Sequence, residues 1–410
     1  MTTNRVRVLA VVTAGLLALA ACGGDDDSAA EPTGGIGSAT GGTVRVLAAS
    51  SGNTETEALQ KAVAAFEATG KGQVDLEIAT DLITQLTTGL AGGNPPDLFY
   101  VPIEQFNELV QNDALEPYGD QAGVDVYPAL KDTFTANGTY YCVPKDFSTL
   151  ALQINTGLFE QAGLQPPTTW AELQTAAETL STDKRAGLVM GPELARVLVF
   201  MLGAGGYVLN DDLTESIANS PENIEALTFL QGMIDDGLVK TPGEIGAGWS
   251  GEAFGKEQAA MTIEGNWILG PMTNDYPDVK WQAVELPAGP AGKGTLAFTV
   301  CWGMAKQSQN KGTALELVKF LMSDEQQLAL TSGFGPMPAT PSLRDRWLQA
   351  YPDAAAFIAG AEYAKTPIWP ADFNPVIEET NSVIDQLFKG EAEPQEVVET
   401  FDENAKDVLG

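Results

Sequence analysis

Between residues 43 and 102, strand and helix signals alternate without interruption, and few architectures accept that order. TVRVLAAS (43–50) is a β-branched apolar run of the kind buried on both faces of a parallel sheet, and it breaks at Ser51-Gly52-Asn53. Thr54-Glu55-Thr56-Glu57 has capping-box spacing, with Leu59, Val63 and Phe66 behind it at helical intervals. A second strand is expected near VDLEIA (74–79), then a helix over LITQLTTGLA that stops at Gly92-Gly93. The prolines of NPPDLFYVP punctuate before a third short buried strand, LFYV. Strand, helix, strand, helix, strand is the order of a doubly wound parallel α/β sheet with helices on both faces.

The pattern returns further on. Thr169-Trp170-Ala171-Glu172 is a second capping box, opening a helix through Leu180. AGLVM (186–190) reads as a strand and LARVLVFMLGAGG (194–206) as a helix closed by its glycines. Ser220-Pro221 supply an N-cap and a first-turn proline for a helix reaching about Asp236. AMTIEG, VKWQAVELP and TLAFTVCWGMA read as strands, and Ser323-Asp324-Glu325-Gln326 should cap another helix. Helices over 375–388 and 394–408 close the chain. No fixed-period repeat occurs; roughly 370 residues beyond residue 42 are too many for one core and suit two lobes.

The first 42 residues do not belong to that body. Arg5 and Arg7 precede an apolar run up to Ala21, the layout of an export signal and too short to span a bilayer. Leu19-Ala20-Ala21-Cys22 matches the bacterial lipobox, in which the Cys22 thiol is acylated and becomes the new N-terminus; an ordinary cleaved signal with an incidental cysteine is the plainer alternative. Residues 23–42, GGDDDSAAEPTGGIGSATGG, form an acidic Gly/Ser tether with too little apolar content to fold. The mature chain is therefore expected outside the cell, held to the outer face of the cell membrane by lipid alone.

Charge narrows the partners. The formal net charge is −33, and loss of the two leader arginines leaves about −35, 20 basic against 55 acidic residues. Such a surface repels nucleic-acid phosphates and anionic headgroups and keeps an exported protein soluble. There is no histidine, which removes the commonest general base, the usual nucleophilic triads and most zinc or copper sites. Neither a cofactor nor a metal is expected. Cys142 and Cys301 remain after Cys22, as a disulfide or as two buried thiols.

Several phrases resemble the sugar-binding family of extracellular solute-binding proteins that serve ABC importers. They are LTTGLAGGNPPDLFYV (86–101), YCVPKDFSTLALQINTGLFEQAGLQPPTTWAEL (141–173), NSPENIEALTFLQGMIDDGLV (219–239), FGKEQAAMTIEGNW (254–267) and ALELVKFLMSDEQQLAL (314–330). Together they cover nearly the whole mature chain in the family's order. The resemblance implies a two-lobe periplasmic-binding-protein-like fold, doubly wound sheets joined by crossing strands. The lobes would be residues 43–146 with 302–345 and residues 147–301 with 346–410. It implies a monomer that is not an enzyme, closes on a carbohydrate and delivers it to a membrane permease. It also places Cys142 and Cys301 on adjacent crossing strands, hence an expected Cys142–Cys301 disulfide at the hinge.

Candidate ligand contacts follow. Ser51 and Asn53 lie in the loop after the first strand, beside free N–H groups of a helix start, or serve as plain cap residues. By resemblance, Glu104 falls near an acidic sugar contact. Ser148 falls where the family has a glutamate ligand, leaving Lys145 and Asp146 to supply charge. Glu193 falls on another sugar-binding glutamate, or stabilises a helix start. A carboxylate can accept hydrogen bonds from two neighbouring hydroxyls. Trp267 in EGNW matches the family's stacking tryptophan, whose face covers the C–H side of a pyranose. Trp302, Trp369 in TPIWPADF, and Tyr207 after Gly205-Gly206 are further aromatic candidates, each equally readable as packing. Asp97 is expected to be structural, bonding local backbone N–H groups.

Three other readings stay open at this level. A secreted glycosidase needs a carboxylate pair roughly 5 to 9.5 Å apart, and nothing in the chain marks one. Tyr140-Tyr141 resembles the paired tyrosines of ferric-ion binders, although Asn137-Gly138 places it after a hairpin turn. A surface adhesin or lectin would not need two hinged lobes.

Overall fold

Thirteen consecutive residues, Val143–Asn155, are all buried and form the longest strand among the described residues. A strand buried on both faces along that length must run through the middle of a covered sheet. The computed structural model describes residues 36–37, 40–50, 53–332 and 335–410. The leader with Cys22, most of the tether, and Ser51 lie outside them. Among the described residues no helix is long and apolar enough to cross a membrane.

The principal strands are β1 (Thr43–Ala48), β2 (Gln73–Ile78), β3 (Leu98–Pro102), β4 (Val143–Asn155), β5 (Ala186–Val189), β6 (Val239–Lys240), β7 (Ala259–Gly265), β8 (Trp281–Val284) and β9 (Thr295–Met304). They pair in the order β2-β1-β3-β9-β4-β7-β5-β6, with β8 beside β4. At one end β2, β1 and β3 run parallel. At the other, β7, β5 and β6 run parallel. The antiparallel pair β4 and β9 joins the two, from Ala297↔Thr149 to Trp302↔Val143. Each parallel end has its own core. Val46, Phe99 and Phe106 belong to one cluster, and Leu188, Phe200 and Met261 to the other. The result is the two-lobe α/β fold with crossing strands.

Local signals explain the helices that flank these strands. The principal ones are α1 (Asn53–Ala68), α2 (Leu82–Ala91), α3 (Ile103–Gln111), α4 (Trp170–Leu180) and α5 (Leu194–Ala204). Asp81 caps α2 by accepting from Thr84 N at 3.0 Å. Thr169 caps α4, while Glu172 accepts from Thr168 N at 2.7 Å, one residue ahead of the usual box partner. Gly205, at φ 88°, closes α5 in the left-handed region that glycine tolerates.

Two cap expectations are corrected. α1 begins at Asn53, so Thr54 lies inside its first turn and Glu55 turns inward as a buried residue. Ser323 precedes the helix Asp324–Thr331, but its hydroxyl donates to Phe320 O at 2.7 Å, satisfying the end of the preceding helix.

Cys142 and Cys301 are bonded, with Cα atoms 5.7 Å apart and a separation of 159 positions in sequence. The link ties the start of β4 to β9 beside a bulge at Val300 and Cys301. Closing so long a loop restricts the unfolded chain by on the order of 5 kcal/mol. Replacing both cysteines by alanine should cost about 2–5 kcal/mol, lowering the melting temperature of a chain this size by about 3–6 °C in calorimetry. An unchanged melting temperature would remove the link from the stability account.

Candidate functional site

The carboxyl ends of the parallel strands from both ends of the sheet open onto one cleft of about 440 Å³. That is where ligands collect in doubly wound sheets, because strand ends leave loops and helix starts free to contact them. From the first end come Ser50, just past β1, and Ile103-Glu104, just past β3 at the start of α3. From the second end comes Trp267, two residues past β7. The crossing strands supply the floor through Lys145, Asp146 and Ser148 on β4 and Phe298 on β9.

The floor is charged and enclosed. Lys145 Nζ lies 2.6 Å from Asp146 and 2.9 Å from Glu55, with all three side chains nearly out of solvent. It also stands 5.0 Å from the centre of the Tyr100 ring, a cation–π arrangement. Burial alone would lower the lysine, but Asp146, Tyr100 and Glu55 outweigh it and hold the ammonium well above its usual range. Burial raises the Asp146 carboxyl and outweighs the pull of Lys145, and the nearby charge of Glu55 adds a smaller push in the same direction. Burial likewise pushes the Tyr100 hydroxyl upward.

Glu104 differs. Its side chain keeps an exposed surface toward the cleft, yet the walls withhold enough water to raise its carboxyl above the usual range. A bond from its own backbone N–H pulls the other way and is outweighed.

Trp267 forms the opposite wall, half-buried against the second core. Its indole N–H donates to Glu264 Oε2 at 2.9 Å, and Phe298 meets the ring edge-on with centroids 5.7 Å apart. The cleft thus presents aromatic rings, carboxylates and a fixed ammonium to one volume. Rings cover apolar C–H faces, and carboxylates accept paired hydroxyl donors.

Of the residues singled out from sequence, Glu104, Lys145, Asp146, Ser148 and Trp267 meet in this cleft. Others do not line it. Asn53 is exposed at the start of α1. Glu193 stands at the N-cap of α5, its carboxylate 3.7 Å from Arg196. Tyr207 is buried in the second core beneath Lys365 Nζ, 4.0 Å from its ring centre. Trp302 has no exposed surface; it packs edge-on against Tyr100, centroids 4.8 Å apart. Trp369 stacks on Phe373 and its carbonyl accepts from Asn107. Tyr140 belongs to the first core, on a hairpin whose turn residues Asn137 and Gly138 have φ of 50° and 74°. Asp97 is structural, but its partners are distant in sequence: it accepts from Arg45 N at 2.9 Å and from the Ser308 hydroxyl.

Sequence reasoning missed Glu55, Tyr100, Phe298, Arg196 and Glu264. Glu55 carried the signal of a first-turn helix acid, and Tyr100 that of a buried strand residue. Nothing local marks a strand residue as lining a cleft when both faces of the strand are apolar.

A family model described as bacterial extracellular solute-binding protein matches residues 61–356. A binding protein of Brucella abortus is 26% identical over 392 residues, covering 91% of this chain and 94% of its own. The diacetylchitobiose binding protein DasA of Streptomyces coelicolor is 25% identical, covering 91% of this chain and 92% of its own. The solved structure of an ABC substrate-binding protein of Listeria monocytogenes in complex with cycloalternan is 25% identical. It superposes with a TM-score of 0.79 over 90% of this chain and 99% of that one.

Proposed function

This chain belongs to the bacterial extracellular solute-binding proteins, and on that premise we propose that it captures a di- or oligosaccharide for an ABC importer. One observation carries the reading: Trp267 and Phe298 face Glu104 and the Lys145–Asp146 pair across a single cleft. Relatives that bind diacetylchitobiose and cycloalternan support the carbohydrate class. The lobes are taken as residues 43–146 with 302–345 and residues 147–301 with 346–410, hinged on β4 and β9. An open form admits the saccharide, stacking and carboxylate hydrogen bonds favour the closed form, and closure presents the surface a permease reads. The protein acts as a monomer, acylated at Cys22 and leashed to the outer face of the membrane by residues 23–42.

A thermal-shift screen against mono-, di- and oligosaccharides tests this. At a hundredfold the dissociation constant, a ligand of the folded state adds about 2.7 kcal/mol, a shift of about 3–4 °C for a chain this size. No shift with any saccharide, together with a visible charge-transfer band on adding ferric ion, would replace the reading with metal capture.

Acid should weaken binding through Glu104. Hydroxyls donate to the ionised carboxyl, so the ligand favours deprotonation and affinity falls as pH drops through the Glu104 pKa. Because that pKa is raised, the fall begins at higher pH than for an ordinary carboxylate. Glu104→Gln should flatten the profile. It should also stabilise the empty protein near pH 7, since a raised carboxyl contributes stability only below its pKa. Calorimetric titration at several pH values checks the first, and thermal melts of the ligand-free proteins near pH 7 check the second.

A further inference from the structure

We propose that Arg196 and Glu264 are positioning residues that fix the Trp267 ring before a ligand arrives, so that this wall of the cleft recognises one pre-set ring plane. The inference rests on the carbohydrate reading for its binding consequence, and on geometry for the rest.

Three groups converge on the indole. Arg196, on the first turn of α5, places its guanidinium 5.5 Å from the ring centre. One arm of that guanidinium bonds Glu264 at 2.9 Å, and the same carboxylate oxygen accepts the indole N–H at 2.9 Å. Gly265 completes the seat: a Cβ there would sit 2.2 Å from the ring, so only glycine lets the indole lie against the backbone. Arg196 is held in turn by Glu193 at 3.7 Å.

The arrangement is costly if it serves folding alone. Glu264 is 3% exposed, and a buried ion pair of this kind is weak evidence for stability. Arg196 Nε is moreover buried without a hydrogen-bond partner among the described residues. What the pair supplies is orientation. A ring ordered in advance loses no freedom on binding, and pre-ordering raises affinity by that amount.

The test is a cycle on the purified protein with R196M/E264Q, W267A and the combined variant. The double change removes both charges together, so no unpaired ion is left in the interior, and glutamine keeps an acceptor for the indole. The first readout needs no ligand. The near-ultraviolet circular dichroism of Trp267, taken as wild type minus W267A, should collapse in the R196M/E264Q background while far-ultraviolet signal is kept. The second readout is affinity for diacetylchitobiose and cycloalternan. R196M/E264Q should weaken binding roughly 3- to 10-fold, the loss expected when one ring must be ordered on binding. In the W267A background the same change should have no further effect. An unaltered Trp267 spectrum, or an equal loss in both backgrounds, overturns the proposal. If neither saccharide binds wild type, the carbohydrate reading fails on its own, and the spectrum still decides whether the ring is held.

Discussion

Replacing Lys145 by methionine is expected to destabilise the protein by about 3–5 kcal/mol, a fall of about 4–6 °C in melting temperature for a chain this size. The side chain is 7% exposed and lies within ion-pairing distance of two carboxylates that are themselves almost fully enclosed. Methionine keeps the length and removes the charge, leaving Asp146 and Glu55 buried without this ammonium. The pH dependence identifies the cause. Asp146 is already raised by burial, and losing Lys145 raises it further. A carboxyl with a raised folded-state pKa contributes stability that is complete below its unfolded value, near 3.9, and lost as pH rises through the folded value. The gap between wild type and the variant should therefore be small near pH 4 and widen toward pH 7. Denaturant melts at the two pH values decide it, and a gap independent of pH would mean that packing, not charge, dominates.

The same residues show what was legible beforehand. The strand order of the first hundred residues, the start and stop of α2, the Thr169 cap and the Gly205 stop all follow from short-range physics, so the chain displayed them openly. The cleft is a long-range object. It is made where β1, β3 and β7 end, and no local pattern says which ends face each other. Glu55 illustrates the gap: the sequence shows it only as part of a capping-box run at a helix start, and its contact with Lys145, 90 positions away, has no short-range signal. Trp302 shows the same limit from the other side. The sequence places it on a strand and leaves both a ligand contact and packing open, because a strand buried on both faces gives no clue to which side chains reach the cleft; the structure packs Trp302 into the first core. Arg196 and Glu264 sit inside a helix and a strand whose apolar neighbours alone account for those elements, so no local pattern marks their charges as paired.

Two tryptophans on strands flanking β4, one past the end of β7 and one on β9, should therefore respond in opposite ways. Trp267→Ala removes a half-buried ring from the cleft wall and should weaken saccharide binding by about 2–4 kcal/mol, roughly 30- to 800-fold, as buried aromatic anchors do at other interfaces. Its melting temperature without ligand should move little by comparison, because the ring still borders the open cleft. Trp302→Ala empties a site with no exposed surface and should cost about 3–5 kcal/mol of stability through the cavity it leaves. Its affinity, measured well below its own melting point, should stay near that of wild type, since no part of the ring borders the cleft. Titration calorimetry and thermal melts on the two variants separate the roles. If Trp302→Ala abolishes binding while Trp267→Ala leaves it intact, the ligand lies deeper toward the first core, and the wall built around Trp267 is packing.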